Sequence, residues 1–322
     1  MKNFRCSGGQ TLFFENNLCL ECGEQVGFDP STFTMRSVAD RQLCRNGVEY
    51  DVCNWIVSDP KSDYCLSCEL NQTIPNLTSP HRRRWWKILE HAKRRLIYSL
   101  LMMDLPIVSK QDSTSGLAFQ FIEDKRTNPQ VSEEYVSTGY SDGLITINIA
   151  EADEVSRELS RQFTGELYRT LLGHFRHESG HYYFNILVEQ SGRLEQFREL
   201  FGDERQDYAT ALESYYANKS SLVKAPDCIS LYAQSHPLED WAEVWAHYLH
   251  MYDTLDTANF YGINQGSNCR KDIDGMLVNW SQLAMMLNAL NRSMGMEDAY
   301  PFTLSEGVLR KFRFVHDLIY PN

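Results

Sequence analysis

The chain has 322 residues, 43% hydrophobic and 12% aromatic, which is enough for a sizeable core and more than one domain. Its formal charge is −12, from 43 acids against 31 bases, which argues against nucleic acid as the main partner, because phosphate contacts need clustered Lys and Arg. No apolar run reaches bilayer length; "LIYSLLMMDLPIV" (96–108) is too short and contains a proline. The first residues, "MKNFRCSGGQTLFFENN", lack the apolar stretch of a secretory signal, so a soluble, cytoplasmic protein is expected.

Seven of the nine cysteines lie in the first 68 residues, two pairs with C-x-x-C spacing, Cys19/Cys22 and Cys65/Cys68. Without a secretory signal, that pattern favours zinc over disulfides. Cys44, Cys53, Cys65 and Cys68 form a complete set of four thiolates for a structural site. Cys6, Cys19 and Cys22 are three and lack a fourth. The expected organisation is a turn-rich zinc domain over 1–70, a proline-bearing linker over 71–81 ("NQTIPNLTSPH") and a catalytic domain over 82–322.

Residues 82–103 have helical spacing, with Trp85, Leu89, Ala92, Leu96 and Leu100 on one stripe, and Leu105-Pro106 ends the helix. The same segment carries "HRRRWWK" and "KRR". The basic stripe from Arg82 to Arg95 reads first as a solvated face, and second as a docking surface for RNA or an acidic partner. Strands are expected at 117–123 ("LAFQFIE") and 143–150 ("GLITINIA"), the second alternating Ile145, Ile147 and Ile149 against Leu144, Thr146 and Asn148. From there the chain reads as mostly helical.

Within "GHFRHESGHYYFN" (173–185), His177 and His181 are four apart, which places both imidazoles on one helix face. Glu178 lies about 100° round the helix, poorly placed to be a ligand but well placed to act on a water at the metal. This is the H-E-x-x-H pattern of zinc peptidases. Apolar flanks predict a buried helix, and Gly180 leaves room for a close neighbour. A catalytic zinc needs a third protein ligand. Downstream, Glu239 and Glu243 share a face, with Ala242 and Ala246 small enough for tight packing. By spacing alone either acid could bind the metal while the other orients a ligating histidine. Asp240 points off that face and reads as a first-turn partner of the helix dipole. His174, His236, His247 and His250 read as core or surface histidines, and Cys228 and Cys269 as small buried hydrophobes.

The E-x-x-x-E arrangement resembles the glutamate helix of gluzincin peptidases, which implies Glu239 as zinc ligand and Glu243 as its support. A tyrosine seven residues before that ligand, here Tyr232, is implied by the same resemblance as a donor to the oxyanion. Across nearly its whole length the chain is similar to a bacterial family of zinc-ribbon, zinc-binding metallopeptidases. The strings that carry this are "LFFEN", "CNW", "LNQTIP", "AKRRL", "ITINIAEAD", "YRTLLGHFRHESGHYYF", "FGDERQDYA" and "HPLEDWAEVWAHYLH". The resemblance implies an α+β, mainly helical protein: an N-terminal zinc ribbon, then a gluzincin-like domain with a small sheet and the histidine helix. The family has a further cysteine where this chain has Gly8.

The expected function is a zinc-dependent hydrolase, a peptidase foremost, with one catalytic and one or two structural zinc ions and a peptide or protein substrate. The alternative is a protein- or RNA-binding module whose second metal site is only structural. A third reading is a latent protease restrained by its ribbon.

Overall fold

The computed structural model describes residues 2–164, 170–263 and 272–321. Cys269 therefore lies outside the described residues. The chain divides into two compact units, Met1–Phe175 and Arg176–Asn322.

The first unit opens with two antiparallel hairpins, β1 (Phe4–Arg5) with β2 (Thr11–Leu12) and β3 (Val26–Asp29) with β4 (Thr34–Ser37). Short helices α1 (Arg45–Tyr50) and α2 (Leu66–Glu69) begin directly after Cys44 and Cys65. So small a segment cannot bury much. Its core is aromatic: Phe14 and Phe28 are 4.9 Å apart edge to face, Phe28 and Trp55 5.0 Å. Tyr98 completes the cluster 5.3 Å from Phe14. Tyr98 belongs to α3 (Pro80–Met102), so the long helix shares the ribbon's core.

Helix α3 starts with Pro80 in its first turn, where a missing N–H costs nothing. Leu89, Ala92, Leu96 and Leu100 are buried as the stripe predicts, but Trp86 takes the innermost place instead of Trp85. Its indole N–H donates to Glu90 Oε1 (3.0 Å), a partner the stripe does not reveal. The expectation of a solvated basic face needs correction. Lys93 and Arg94 are buried, Lys93 Nζ 2.9 Å from Glu90 Oε2 and Arg94 donating to Val52 O (2.6 Å) and Glu15 (3.0 Å). Arg82 pairs with Glu123 at 2.5 Å. Buried cations require such partners, so these residues tie the unit together. Arg83, Arg84 and Arg95 remain exposed.

A four-stranded sheet follows, in the order β5 (Asn71–Thr73), β6 (Ala118–Ile122), β8 (Leu144–Asn148), β7 (Gly139–Ser141). Strands β5, β6 and β8 are parallel, and β7 is antiparallel to β8. The stretch 71–81, expected as a linker, thus begins with a strand, whose Asn71 side chain donates to Glu90 (2.7 Å). Asp142 and Gly143, both at positive φ, make the tight β7–β8 turn. Ile145 and Ile147 are buried, in keeping with the alternation. Helix α4 (Glu154–Thr164) follows this sheet, and α5 (Leu171–Phe184) runs across the division between the units.

The second unit is helical: the end of α5, a π turn at Asn185–Glu189, then α6 (Leu194–Phe201), α7 (Tyr208–Asn218), α8 (Pro237–Phe260), α9 (Ile273–Ser293) and α10 (Glu306–Ile319). Pro237 opens α8 and the ring of His236 caps it, accepting from Leu238 N–H (3.1 Å). Trp241 and Trp245 on α8 are completely buried, Trp245 stacked on Tyr183 at 4.9 Å. Asp240 is buried too and pairs with Lys311 of α10, so it serves as a core ion pair as well as lying in the first turn of α8. Among the described residues, no helix is long and apolar enough to cross a membrane.

Helices α5 and α8 meet at Gly180. A Cβ there would stand 3.0 Å from Ala242 Cα and 3.1 Å from Trp245 Cδ1. Neither neighbour can yield easily: one is backbone, and the other is held by an indole N–H bond to Ser179 Oγ (3.0 Å). Alanine would gain up to about 1 kcal/mol in helix propensity. Overpacking costs about 1–3 kcal/mol and decides the sign. Gly180→Ala is therefore expected to lower the urea midpoint of unfolding; a raised midpoint would mean that the helices part freely.

Candidate metal centre

Two pairs of residues spaced four apart face each other across the α5–α8 contact: His177 and His181, Glu239 and Glu243. Two indole bonds fix the helices' register, Trp241 Nε1–H to Gly180 O (2.8 Å) and Trp245 Nε1–H to Ser179 Oγ. His177 Nε2 lies 2.9 Å from Glu239 Oε2, and His181 Nε2 lies 3.4 Å from Glu239 Oε1. One ligand atom from each of the three lies within 4.8 Å of the others. A tetrahedral zinc with bonds near 2.0–2.1 Å needs donors separated by about 3.3 Å, so the set fits that ion. Two imidazoles and a carboxylate are also a donor set that zinc accepts.

Glu243 stands on the other side of His177, its Oε1 2.9 Å from Nδ1. Ser230 O–H donates to Glu243 Oε2 (2.6 Å) and fixes the carboxylate in turn. Glu239 has its own support: Tyr208 O–H donates to Oε1 (2.6 Å). Glu178 is buried beside His177 on α5. Tyr232 opens a 3₁₀ turn just before α8, its ring 6.0 Å from that of His177. Burial and the charge of Glu239 push the Tyr232 and Tyr208 phenols well up, so both remain O–H donors.

Burial alone would strip the proton from His177. The hydrogen bonds and charges of Glu239 and Glu243 outweigh it and hold the imidazole well above its usual pKa. Glu239, despite the burial that would raise it, is held well below the usual carboxylate range by its hydrogen bond to His177 and the charge of that ring. His181, farther from the acids, is pushed down to about 4 by burial. A proton on His177 thus occupies the position of positive charge between two carboxylates, and a metal must displace it.

The other histidines have separate work. His247 Nδ1 meets Tyr300 OH (3.0 Å) and its ring packs 4.4 Å from Phe302, outside the donor cluster. His250 packs on Trp280, and His174 pairs with Glu151 in the first unit. Tyr208 and Ser230 were missed by sequence reasoning. Tyr208 sits within "FGDERQDYA", but nothing in its spacing marks it as a partner of Glu239.

In the ribbon, Cys44, Cys53, Cys65 and Cys68 converge and are all buried. Cys53 and Cys65 Sγ are 3.6 Å apart, near the edge of about 3.8 Å in a zinc–sulfur tetrahedron and far from the roughly 2.05 Å of a disulfide. Cys6, Cys19 and Cys22 converge as a set of three. Cys228 is a buried free thiol apart from both clusters.

Comparison with known proteins gives a match over each part of the chain. Residues 3–79 match a zinc-ribbon domain, and residues 81–318 match the family described as "Putative zinc-binding metallo-peptidase". The chain belongs to that family. Uncharacterized proteins of Mycobacterium bovis and Mycobacterium tuberculosis are 41% identical to it over 333 residues, covering 99% of this chain and 95% of theirs. No solved structure matches it.

Removing the hydroxyl in Tyr208→Phe, or in Ser230→Ala, is expected to weaken zinc binding by about 10–100-fold while both variants stay folded. Because His177 is raised above its ordinary pKa, zinc affinity should fall steadily as the pH drops from 8 to 6, about tenfold per unit once that proton must be displaced. Competitive titration against a chelator measures both; a flat pH profile would contradict the proton's place in the site.

Proposed function

We propose that the chain is a zinc-dependent hydrolase whose substrates are peptides or proteins. The convergence of His177, His181 and Glu239 on one point, with the buried Glu178 next along the same helix, is the observation that carries this reading. His177, His181 and Glu239 hold the metal. When bound, zinc lowers the pKa of its water towards neutrality and polarises the substrate carbonyl. Glu178 accepts the proton of the attacking water and later gives it to the leaving amine. Glu243, steadied by Ser230, keeps His177 in the tautomer whose Nε2 is free to ligate. Tyr232 offers its O–H to the carbonyl oxygen as negative charge develops there.

The four-thiolate cluster takes a structural zinc that holds the ribbon together. All eight described cysteines are free, which suits a reducing cytoplasm. The alternative of a docking module loses ground, because Lys93 and Arg94 of the basic stripe face inward.

Glu178→Gln should keep its zinc and lose about 10²–10⁴-fold in turnover of a peptide library. Full activity in a clean preparation would end the general-base assignment. Glu239→Ala should weaken zinc binding more than Glu243→Ala; the opposite order in metal titration would exchange their roles.

A further inference from the structure

The two thiolate clusters of the ribbon are unequal. Cys44, Cys53, Cys65 and Cys68 are four buried donors, enough to close a tetrahedron. Cys6, Cys19 and Cys22 are three, and Cys22 is exposed. Their spacing is still that of a metal site: Cys22 Sγ is 3.8 Å from Cys6 Sγ, the edge expected for zinc–sulfur bonds of about 2.3 Å. The backbone is shaped for it as well. Gly9 and Gly23, both at positive φ, turn the chain after each arm, and Gln10 N–H points at Cys6 Sγ (3.3 Å).

What the cluster lacks is a fourth side chain. A Cβ built at Gly8 would lie 3.7 Å from Cys6 Sγ and meet no other non-adjacent heavy atom within 4 Å. The space beside Cys6 is therefore not taken by another described part of the chain. Glu24, an acid close to Cys22 in sequence, is engaged elsewhere: its Oε2 accepts from Ser7 N–H (3.2 Å) and Ser7 O–H (2.8 Å).

We propose that this cluster binds zinc through three thiolates and takes its fourth ligand from solution, a small monothiol being the chemical class that fits. Sulfur matches the three donors already present, and Arg5, whose guanidinium donates to Gly9 O (2.7 Å), puts a cation at the same turn. Binding is a ligand substitution. The thiol proton passes to solvent, a sulfur–zinc bond forms, water leaves, and nothing is oxidised. A three-thiolate zinc with one exposed donor also exchanges faster than its buried four-thiolate neighbour. The inference is independent of the hydrolase reading.

The test uses the full chain loaded with cobalt(II), prepared with a phosphine reductant, and reads the sulfur-to-cobalt charge-transfer absorption. The histidine–glutamate cluster has no sulfur of its own, but its open position can take an added thiol, so the measurements are made in the His177→Ala background, where that site has lost a ligand. Three plus four thiolates give a starting intensity of seven, and 2-mercaptoethanol should raise it by about one seventh. Gly8→Cys should start at eight and not respond. With zinc in place, a chromogenic chelator should remove one ion faster from the protein with Gly8 than from Gly8→Cys, and equal rates would count against the proposal. An initial intensity of only four, or one of seven that the thiol leaves unchanged, would overturn the proposal. Should Gly8→Cys fail to fold, the thiol titration of the His177→Ala protein decides alone.

Discussion

The missing Cβ at Gly180 is the constraint on which the second unit depends. A glycine lets the backbone of α5 come against Ala242 and Trp245 of α8 without pushing either back, where a Cβ would stand 3.0–3.1 Å from them. Two buried indole N–H bonds, one to Gly180 O and one to Ser179 Oγ, then fix rotation and sliding of one helix on the other. With that register set, two residues four apart on each helix must face each other. The convergence of two imidazoles and a carboxylate follows from helix geometry and needs no loop to fold around an ion. Sites on packed helices are held more tightly than sites on loops, as a metal with short bonds requires.

The same contact concentrates charge. Glu239 and Glu243 flank His177, and their attraction overcomes the burial that would otherwise keep the ring neutral. Each carboxylate has a second partner, Tyr208 for one and Ser230 for the other, so neither turns freely toward the ring. A buried anion and a half-buried one beside it would be costly without a cation. A proton on His177 supplies that cation in the absence of metal, and a divalent ion supplies more of it. Metal held there would thereby be coupled to the stability of this helix pair.

What could be read from the sequence was local. Spacing of four on a helix fixes which side chains share a face, so the pairs at 177/181 and 239/243 were visible, as was the room that Gly180 leaves. Period-two alternation likewise located β8. Tyr208 was not visible, because its bond to Glu239 spans 31 positions and comes from a different helix. The charge pattern of α3 misled for a similar reason. Lys93 and Arg94 look like a solvated run until Glu90, Glu15 and the carbonyl of Val52 appear around them. A run of cations shows its charge in sequence; of its partners only Glu90 lies on the same helix, while Glu15 and Val52 O come from other elements. Trp86, not Trp85, is innermost, its indole bonded to Glu90 and its ring packed on Tyr50, and neighbouring tryptophans are poorly told apart by periodicity.

The ribbon's construction explains why one of its clusters can be a donor short. A small cysteine-rich segment standing alone would need every metal bond to stay folded. Here Phe14, Phe28 and Trp55 pack with Tyr98 of α3, and Arg94 of the same helix reaches Val52 O and Glu15. The four-thiolate cluster lies close to this tie, Cys68 Sγ 4.0 Å from Glu90 Oε2. It is buried with the core and acts with it. The three-thiolate cluster is built around two exposed glycine turns and the exposed Cys22. Loss of one donor there removes a metal bond without opening the aromatic core. Helix α3 thus relieves the first cluster of the need to hold the fold, and leaves its coordination free to serve exchange.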